Sequence, residues 1–149
     1  MQGFVAGASE AGGAGKFLKG AFEDSDKIMG RRTNSLPFEP DPFCHGFDAD
    51  PSAVSRVVES ILPLLGNPIV VSDPVNGDFE TDFKLRQHKA AQWVDRYIIR
   101  VIEREPKGSN VYVMRLLYIS RDGKVFNQAL SVGHNETWIL TQIRDRLPL

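Results

Sequence analysis

The chain has 149 residues, 42% of them hydrophobic and 25% charged, which is enough apolar material for one ordinary core and hardly enough length for two. Its 18 Lys and Arg against 19 Asp and Glu leave a formal charge of −1, so no overall field draws it to nucleic acid or to acidic lipid. The single cysteine, Cys44, excludes an internal disulfide and a multi-cysteine metal site, and no run of about 18 apolar residues supplies a conventional transmembrane helix.

Residues 1–44 differ from the rest. Gly3 to Gly20 is rich in Gly and Ala, and Ser35 to Phe43 carries Pro37, Pro40 and Pro42. Such composition loses much chain entropy on ordering and buries little, so this stretch is expected to be a flexible or docking arm. Phe4, Val5, Phe17, Leu18, Ala21, Phe22 and Ile28 form an imperfect amphipathic face that would need a partner protein or a membrane surface to lie on. Gly12-Gly13-Ala14-Gly15-Lys16-Phe17 ends like a phosphate loop, but Glu10 replaces the first Gly, Phe17 replaces the metal-binding Ser or Thr, and no strand precedes it. The amino terminus has no basic head and its apolar residues are broken by Gly and Glu10, which is not a signal-peptide pattern. The chain is therefore expected to be cytoplasmic unless a targeting segment has been removed from it.

The domain proper is expected to span 45–149, opening with a short strand over 45–49, where Cys44 is a partly buried thiol at the strand start. Asp50 is a good N-cap and Pro51 a good first helical residue. Val54, Val57, Val58, Ile61, Leu62 and Leu65 recur at i, i+3, i+4, i+7, i+8 and i+11, one face of a helix. Gly66 ends that helix, and Pro63 converts its last turn to a kink or a 3₁₀ stretch.

Pro74-Val75-Asn76-Gly77 between Ile69–Asp73 and Asp78–Leu85 predicts a hairpin, with Phe79, Thr81 and Phe83 on one face. The polar stretch 86–92 reads as a loop. Trp93 to Glu105 alternates, with Trp93, Tyr97, Ile99 and Val101 on one side and Val94, Arg96, Ile98, Arg100, Ile102 and Arg104 on the other. A turn over 106–110 leads to 111–120, where Tyr112, Met114, Leu116 and Tyr118 share a face. Leu116-Leu117 makes both sides apolar, so periodicity does not fix the register. A turn at Arg121 to Lys124, a strand over 125–132 and a helix over 136–147 with Ile139, Leu140, Ile143 and Leu147 in one stripe complete the chain. This order predicts an α+β fold, an antiparallel sheet of four to five strands with one face packed against one long helix and a C-terminal helix.

The order helix, hairpin, long strands, terminal helix, the segment Gly77-x-Phe79-x-Thr81-Asp82 and the strand Asp95-Arg96-Tyr97 resemble the helix-grip domains of BamC-type lipoproteins from the bacterial outer-membrane assembly machinery. The resemblance covers residues 45–147. It implies a non-enzymatic interaction subunit of a cell-envelope or periplasmic assembly, with other protein subunits as partners and with no cofactor or catalytic residues. No lipobox precedes the domain, and the Gly/Ala-rich arm differs from the long binding segment of those lipoproteins.

No motif commits the chain to a reaction. His45, His88 and His134 are scattered without ligand spacing. Glu80 with Asp82 and Asp73 with Asp78 are carboxylate pairs on an exposed hairpin, where nothing nearby in sequence desolvates them. No Ser stands in a Gly-x-Ser-x-Gly turn. Arg96, Arg100 and Arg104 lie about 13 Å apart in succession on one strand face, with Arg115, Arg121 and Lys124 on neighbouring strands. They read either as structural pairs for Glu80, Asp82 and Asp95 or as a basic face that orients a protein partner, while the arm supplies anchors through Phe4, Phe17, Leu18 and Phe22. No base-stacking signature accompanies them, so nucleic acid is not the expected partner. The rival function is a carrier of a small apolar ligand or lipid, with Tyr112, Met114, Tyr118 and Trp138 lining a cavity between sheet and helix.

Overall fold

Helix α1, Pro51–Ile61, follows its sequence signals closely. In a computed structural model, which describes residues 5–6, 32–33 and 38–148, Asp50 is extended at the N-cap and its carbonyl accepts the Val54 N–H at 3.0 Å. Pro51 fits there because a first-turn N–H has no helical acceptor to lose. Val54, Val58 and Ile61 are buried to within 1%, each worth about 1.5–3 kcal/mol of apolar transfer. Pro63 sits in a 3₁₀ turn, Leu62–Leu65, which Gly66 closes in the left-handed region at φ 80°.

The strands are β1 Val5–Ala6, β2 Arg32–Thr33, β3 Phe43–Phe47, β4 Ile69–Asp73, β5 Asp78–Thr81, β6 Lys84–His88, β7 Ala91–Glu103, β8 Ser109–Ser120 and β9 Val125–Ala129, and α2 is His134–Arg146. The hydrogen-bonded order is β1-β3-β8-β7-β5-β4, with β6 also on β7 and β9 also on β8. The long β7–β8 hairpin runs in register from Gln92 opposite Ser120 to Glu103 opposite Ser109. Its flanks are shared end to end. β9 and then β3 follow one another along one edge of β8, and β6 and then β5 occupy the far edge of β7. The fold is α+β, an antiparallel sheet with two helices packed against it; the parallel β2–β9 pairing is confined to a dipeptide.

The β7–β8 register settles which residues face the helices. Tyr97, Ile99, Val101, Val111 and Val113 join α1 and α2 in one core, with Phe79, Ile139, Leu140 and Ile143. Val94, Ile98, Met114, Leu116, Tyr118 and Phe126 form a second buried cluster on the opposite face, with Phe83. The helices cover one face of the sheet, as the sequence analysis expects, and the residues of the opposite face are buried as well.

Other boundaries also move. The polar 86–92 stretch is largely strand, because β6 pairs with the start of β7 through a two-residue turn in which Lys89 takes φ 56°. Its residues are mostly exposed, so it carries no apolar alternation to announce it. Phe83 does not share a face with Phe79. β5 stops at Thr81, the Asp82 carboxylate accepts the Phe83 N–H at 2.7 Å, and the kink turns Phe83 into the second cluster. β9 ends at Ala129, leaving Leu130 and Val132 exposed. α2 starts at His134, two residues before the expected start at 136, after Gly133 at φ 93°. Described structure also precedes residue 45: β3 starts at Phe43, and Phe38 and the Gln128 side chain exchange two hydrogen bonds beside β9.

Candidate functional site

On the helix-facing side of β7, between Trp93 and Tyr97, stands Asp95, completely buried. A carboxylate in that position must be neutralised or heavily hydrogen-bonded. Arg86 reaches it from the edge strand β6, with Nε 3.2 Å from Oδ1. Arg115 reaches it from β8, with Nε at 3.0 Å and Nη2 at 2.9 Å from Oδ2. The Tyr97 hydroxyl donates to the same oxygen at 3.2 Å and accepts from Asn135 Nδ2 at 2.8 Å. Asn67, just past the 3₁₀ turn, donates to the Asp95 carbonyl at 2.7 Å and accepts from Arg86 Nη2 at 2.6 Å. Arg86 Nη2 also donates to the Leu65 carbonyl at 2.9 Å, tying down the end of the α1 segment.

One polar cluster thus ties the α1 terminus, β6, β7, β8 and the first turn of α2. It extends through Ser131, whose hydroxyl accepts from Arg115 at 3.4 Å and donates to Glu136 Oε1 at 2.9 Å. Burial pushes the Glu136 carboxyl up, against the opposing pull of the Ser131 hydrogen bond. Burial, with the nearby Asp95 charge, pushes the Tyr97 hydroxyl up to about 12, so it stays a donor throughout the neutral range. Two guanidinium groups share the single Asp95 carboxylate, and the local balance is positive whenever Glu136 holds its proton.

Above the cluster, the ends of the two helices part and leave an open cleft of about 410 Å³. Leu64, Leu65, Trp93 and Trp138 wall it; Arg86, Tyr97, Arg115 and Asn135 form its polar floor. Leu64 is 54% exposed and Trp138 40%, a large apolar rim for a small domain.

The expected basic sheet face takes another form. Arg96 Nη2 binds Glu80 at 2.8 Å, and Arg100 binds Glu80 at 2.9 Å and Asp78 at 3.4 Å; both arginines are buried. Arg104 pairs with Asp48 at 2.5 Å. Structural pairing, one of the two sequence readings, describes Arg96 and Arg100, although Asp82 and Asp95 are not their partners. Asp82 instead caps Phe83, and Asp73 accepts from Val75, Asn76 and the Asn76 side chain in the hairpin turn, which holds its carboxyl below the usual range. The carboxylate pairs are thus occupied in turns and ion pairs.

The expected ligand cavity is corrected as well. Tyr112, Met114 and Tyr118 pair in register with Arg100, Ile98 and Val94 and point away from both helices, whereas Trp138 rides on α2 on the other side. The four never meet. Of them only Trp138 belongs to the cleft, where it stands beside Arg115, which the sequence analysis places in the basic set and which pairs with Asp95. Phe4, Phe17, Leu18 and Phe22 lie outside the described residues. The histidines stay apart. His45 packs edge-on to Phe47, its pKa lowered by burial and by Arg144 and Arg104, while His88 and His134 are exposed. Among the described residues no three His, Cys, Asp or Glu side chains come together, and no helix is long and apolar enough to cross a membrane.

The signal for the Asp95 site was present in the sequence. A lone acid at an inward position of an otherwise apolar strand face demands buried cations, and Arg86 and Arg115 were at hand. No family model matches the chain, and neither does any curated protein.

Proposed function

We propose that the protein is a non-enzymatic interaction subunit that holds an apolar, carboxylate-bearing segment of a protein partner in the Trp93–Trp138 cleft. One observation carries the reading: an aromatic rim stands directly over two arginines that share one buried carboxylate. Guanidinium forks suit a further carboxylate, and exposed Trp and Leu at the rim suit the apolar side chains next to it. The floor is poor in groups for chemistry. Asp95 is enclosed by two arginines and Tyr97 is held protonated, so neither is a free base. The resemblance to envelope lipoprotein domains supports an assembly at the cell envelope. The carrier reading is weaker, because the cleft is open and three of the four residues expected to line a cavity face the other way.

The two tryptophans, the only ones in the chain, both line the cleft and report on it directly. Short peptides ending in Leu-Phe with a free carboxylate are expected to shift their fluorescence. The amidated peptides should bind at least ~10-fold more weakly, a loss of about 1.4 kcal/mol. Trp138→Ala should abolish the response. Equal binding of both peptides, or a response to a free fatty acid alone, would refute the reading.

A further inference from the structure

The sheet face turned away from the helices behaves unlike the outer face of a two-layer domain. Val94, Ile98, Met114, Leu116, Tyr118 and Phe126 are each at most 4% exposed. An antiparallel sheet with helices on one side ordinarily gives its other side to water. Among the described residues, both helices pack in the opposite cluster, and no helix or strand forms a layer above this one.

Two dipeptides show where the missing layer would come from. Val5 and Ala6 pair with Cys44 and Phe43 on the outer edge of β3, and Arg32 and Thr33 pair with Val125 and Phe126 on the outer edge of β9. Because β9 and β3 succeed one another along β8, both dipeptides lie on the same side of the sheet. The registers put them roughly seven strand residues apart, about 23 Å. An extended connection of that span needs about 7 residues. The chain supplies 25, residues 7–31. Within this surplus, Phe17, Leu18, Ala21 and Phe22 fall at i, i+1, i+4 and i+5, one side of a helical turn.

We infer that residues 7–31 dock on the second face of their own sheet, seating Phe17, Leu18 and Phe22 against Ile98, Met114, Leu116 and Tyr118. The apolar face of the arm then has an intramolecular home and is not spent on a partner or a membrane. The arm becomes the third layer of the fold.

The test uses the full chain. With Phe22→p-benzoylphenylalanine in an equimolar mixture of ¹⁵N-labelled and unlabelled protein, irradiation should join the arm to β7–β8 peptides of the same isotope label. Crosslinks between labels place a second copy on the face, and crosslinks to other regions, or none, leave the arm elsewhere; each of these overturns the inference. As an independent readout, Met114 should oxidise in peroxide at least ~10-fold more slowly than free methionine, and Phe17→Asp with Phe22→Asp should abolish that protection while tryptophan fluorescence keeps its native spectrum. Undiminished protection of Met114 in the double variant would also overturn it. These outcomes are independent of the cleft, whose peptide response rests on Trp93 and Trp138.

Discussion

Replacing Asp95 by Asn keeps the shape of the side chain and one acceptor oxygen but deletes the charge that two arginines share. Removing one member of a buried ion pair costs about 3–5 kcal/mol, because the partner is left charged without compensation. Here the damage is unequal: the Arg86 side chain is 29% exposed and can turn toward water, whereas Arg115 is 13% exposed and has Ser131 as its other acceptor. One stranded cation rather than two puts the loss near the low end, about 3 kcal/mol. For a body of this size that corresponds to a fall in Tm of about 10–15 °C. Glu80→Gln, which unpairs Arg96 and Arg100 from a carboxylate 25% exposed, should cost about 1–2 kcal/mol. Asp48→Asn, at a carboxylate 84% exposed, should cost no more than about 0.5 kcal/mol. Urea unfolding followed by tryptophan fluorescence and by circular dichroism measures all three on one scale. The order Asp95 over Glu80 over Asp48 is the prediction, and a loss at Asp95 no larger than that at Glu80 would show that burial of the shared charge is not what governs the cluster.

Glu136 gives a pH signature. Burial raises its carboxyl in the folded state above its value in the unfolded chain, so the fold holds the proton more tightly. Stability drawn from it is full below that value and falls as pH rises toward the folded pKa; Glu136→Gln should therefore gain on the wild type as pH climbs from 4 to 7, as read from paired urea titrations. Tyr97 acts in the same sense at high pH, with stability falling between about 10 and about 12, and Tyr97→Phe should flatten that decline. Gly77→Ala should cost more than about 1 kcal/mol in the same assay, because φ is 71° there and a Cβ would strike the Val101 carbonyl. Trp138→Ala, by contrast, removes a side chain 40% exposed and should cost less than truncation of a fully buried aromatic, under about 3 kcal/mol in the same assay.

Where one stretch of chain carried both its start and stop signals, the sequence reading and the structure agree. Asp50-Pro51, the Val54–Leu65 stripe and Gly66 define α1 without help from elsewhere, and Pro74 to Gly77 does the same for the β4–β5 turn. β6 escaped because an exposed edge strand of polar residues is a strand only through its ladder to β7. Alternation does not reveal the face of Phe83, because the kink at Asp82 is held by a carboxylate and by the distant Pro68 carbonyl, which accepts the Asp82 N–H at 2.8 Å. The side taken by Tyr112, Met114 and Tyr118 is not legible in the sequence, because β8 is apolar on both faces and only the register with β7 decides between them. The cleft draws on residues 64 to 138 and has no local signature at all, apart from Asp95 standing where an apolar residue would be expected.

That Asp95 anomaly bears on function as much as on folding. A buried ionic cluster is a weak source of net stability, since well-packed apolar groups of the same volume do as well or better. Stability alone therefore does not account for an Arg–Asp–Arg set at the junction of five elements, when the neighbouring core manages with Val, Ile and Leu. Direction is what the cluster adds. Asn67 and the Leu65 carbonyl fix Arg86, Asp95 fixes both guanidinium planes, and Asn135 fixes the Tyr97 hydroxyl, so each polar group at the foot of the cleft has its orientation set by the protein itself. A polar floor fixed in this way beneath an exposed Trp and Leu rim loses little entropy when a ligand arrives, which is what preorganised recognition requires. The opposite face fits the same division of labour: its residues on β7 and β8 are buried as well, so the strands that carry Asp95 and Arg115 have apolar side chains packed on both sides, and the polar floor of the cleft is built on the best-packed part of the sheet.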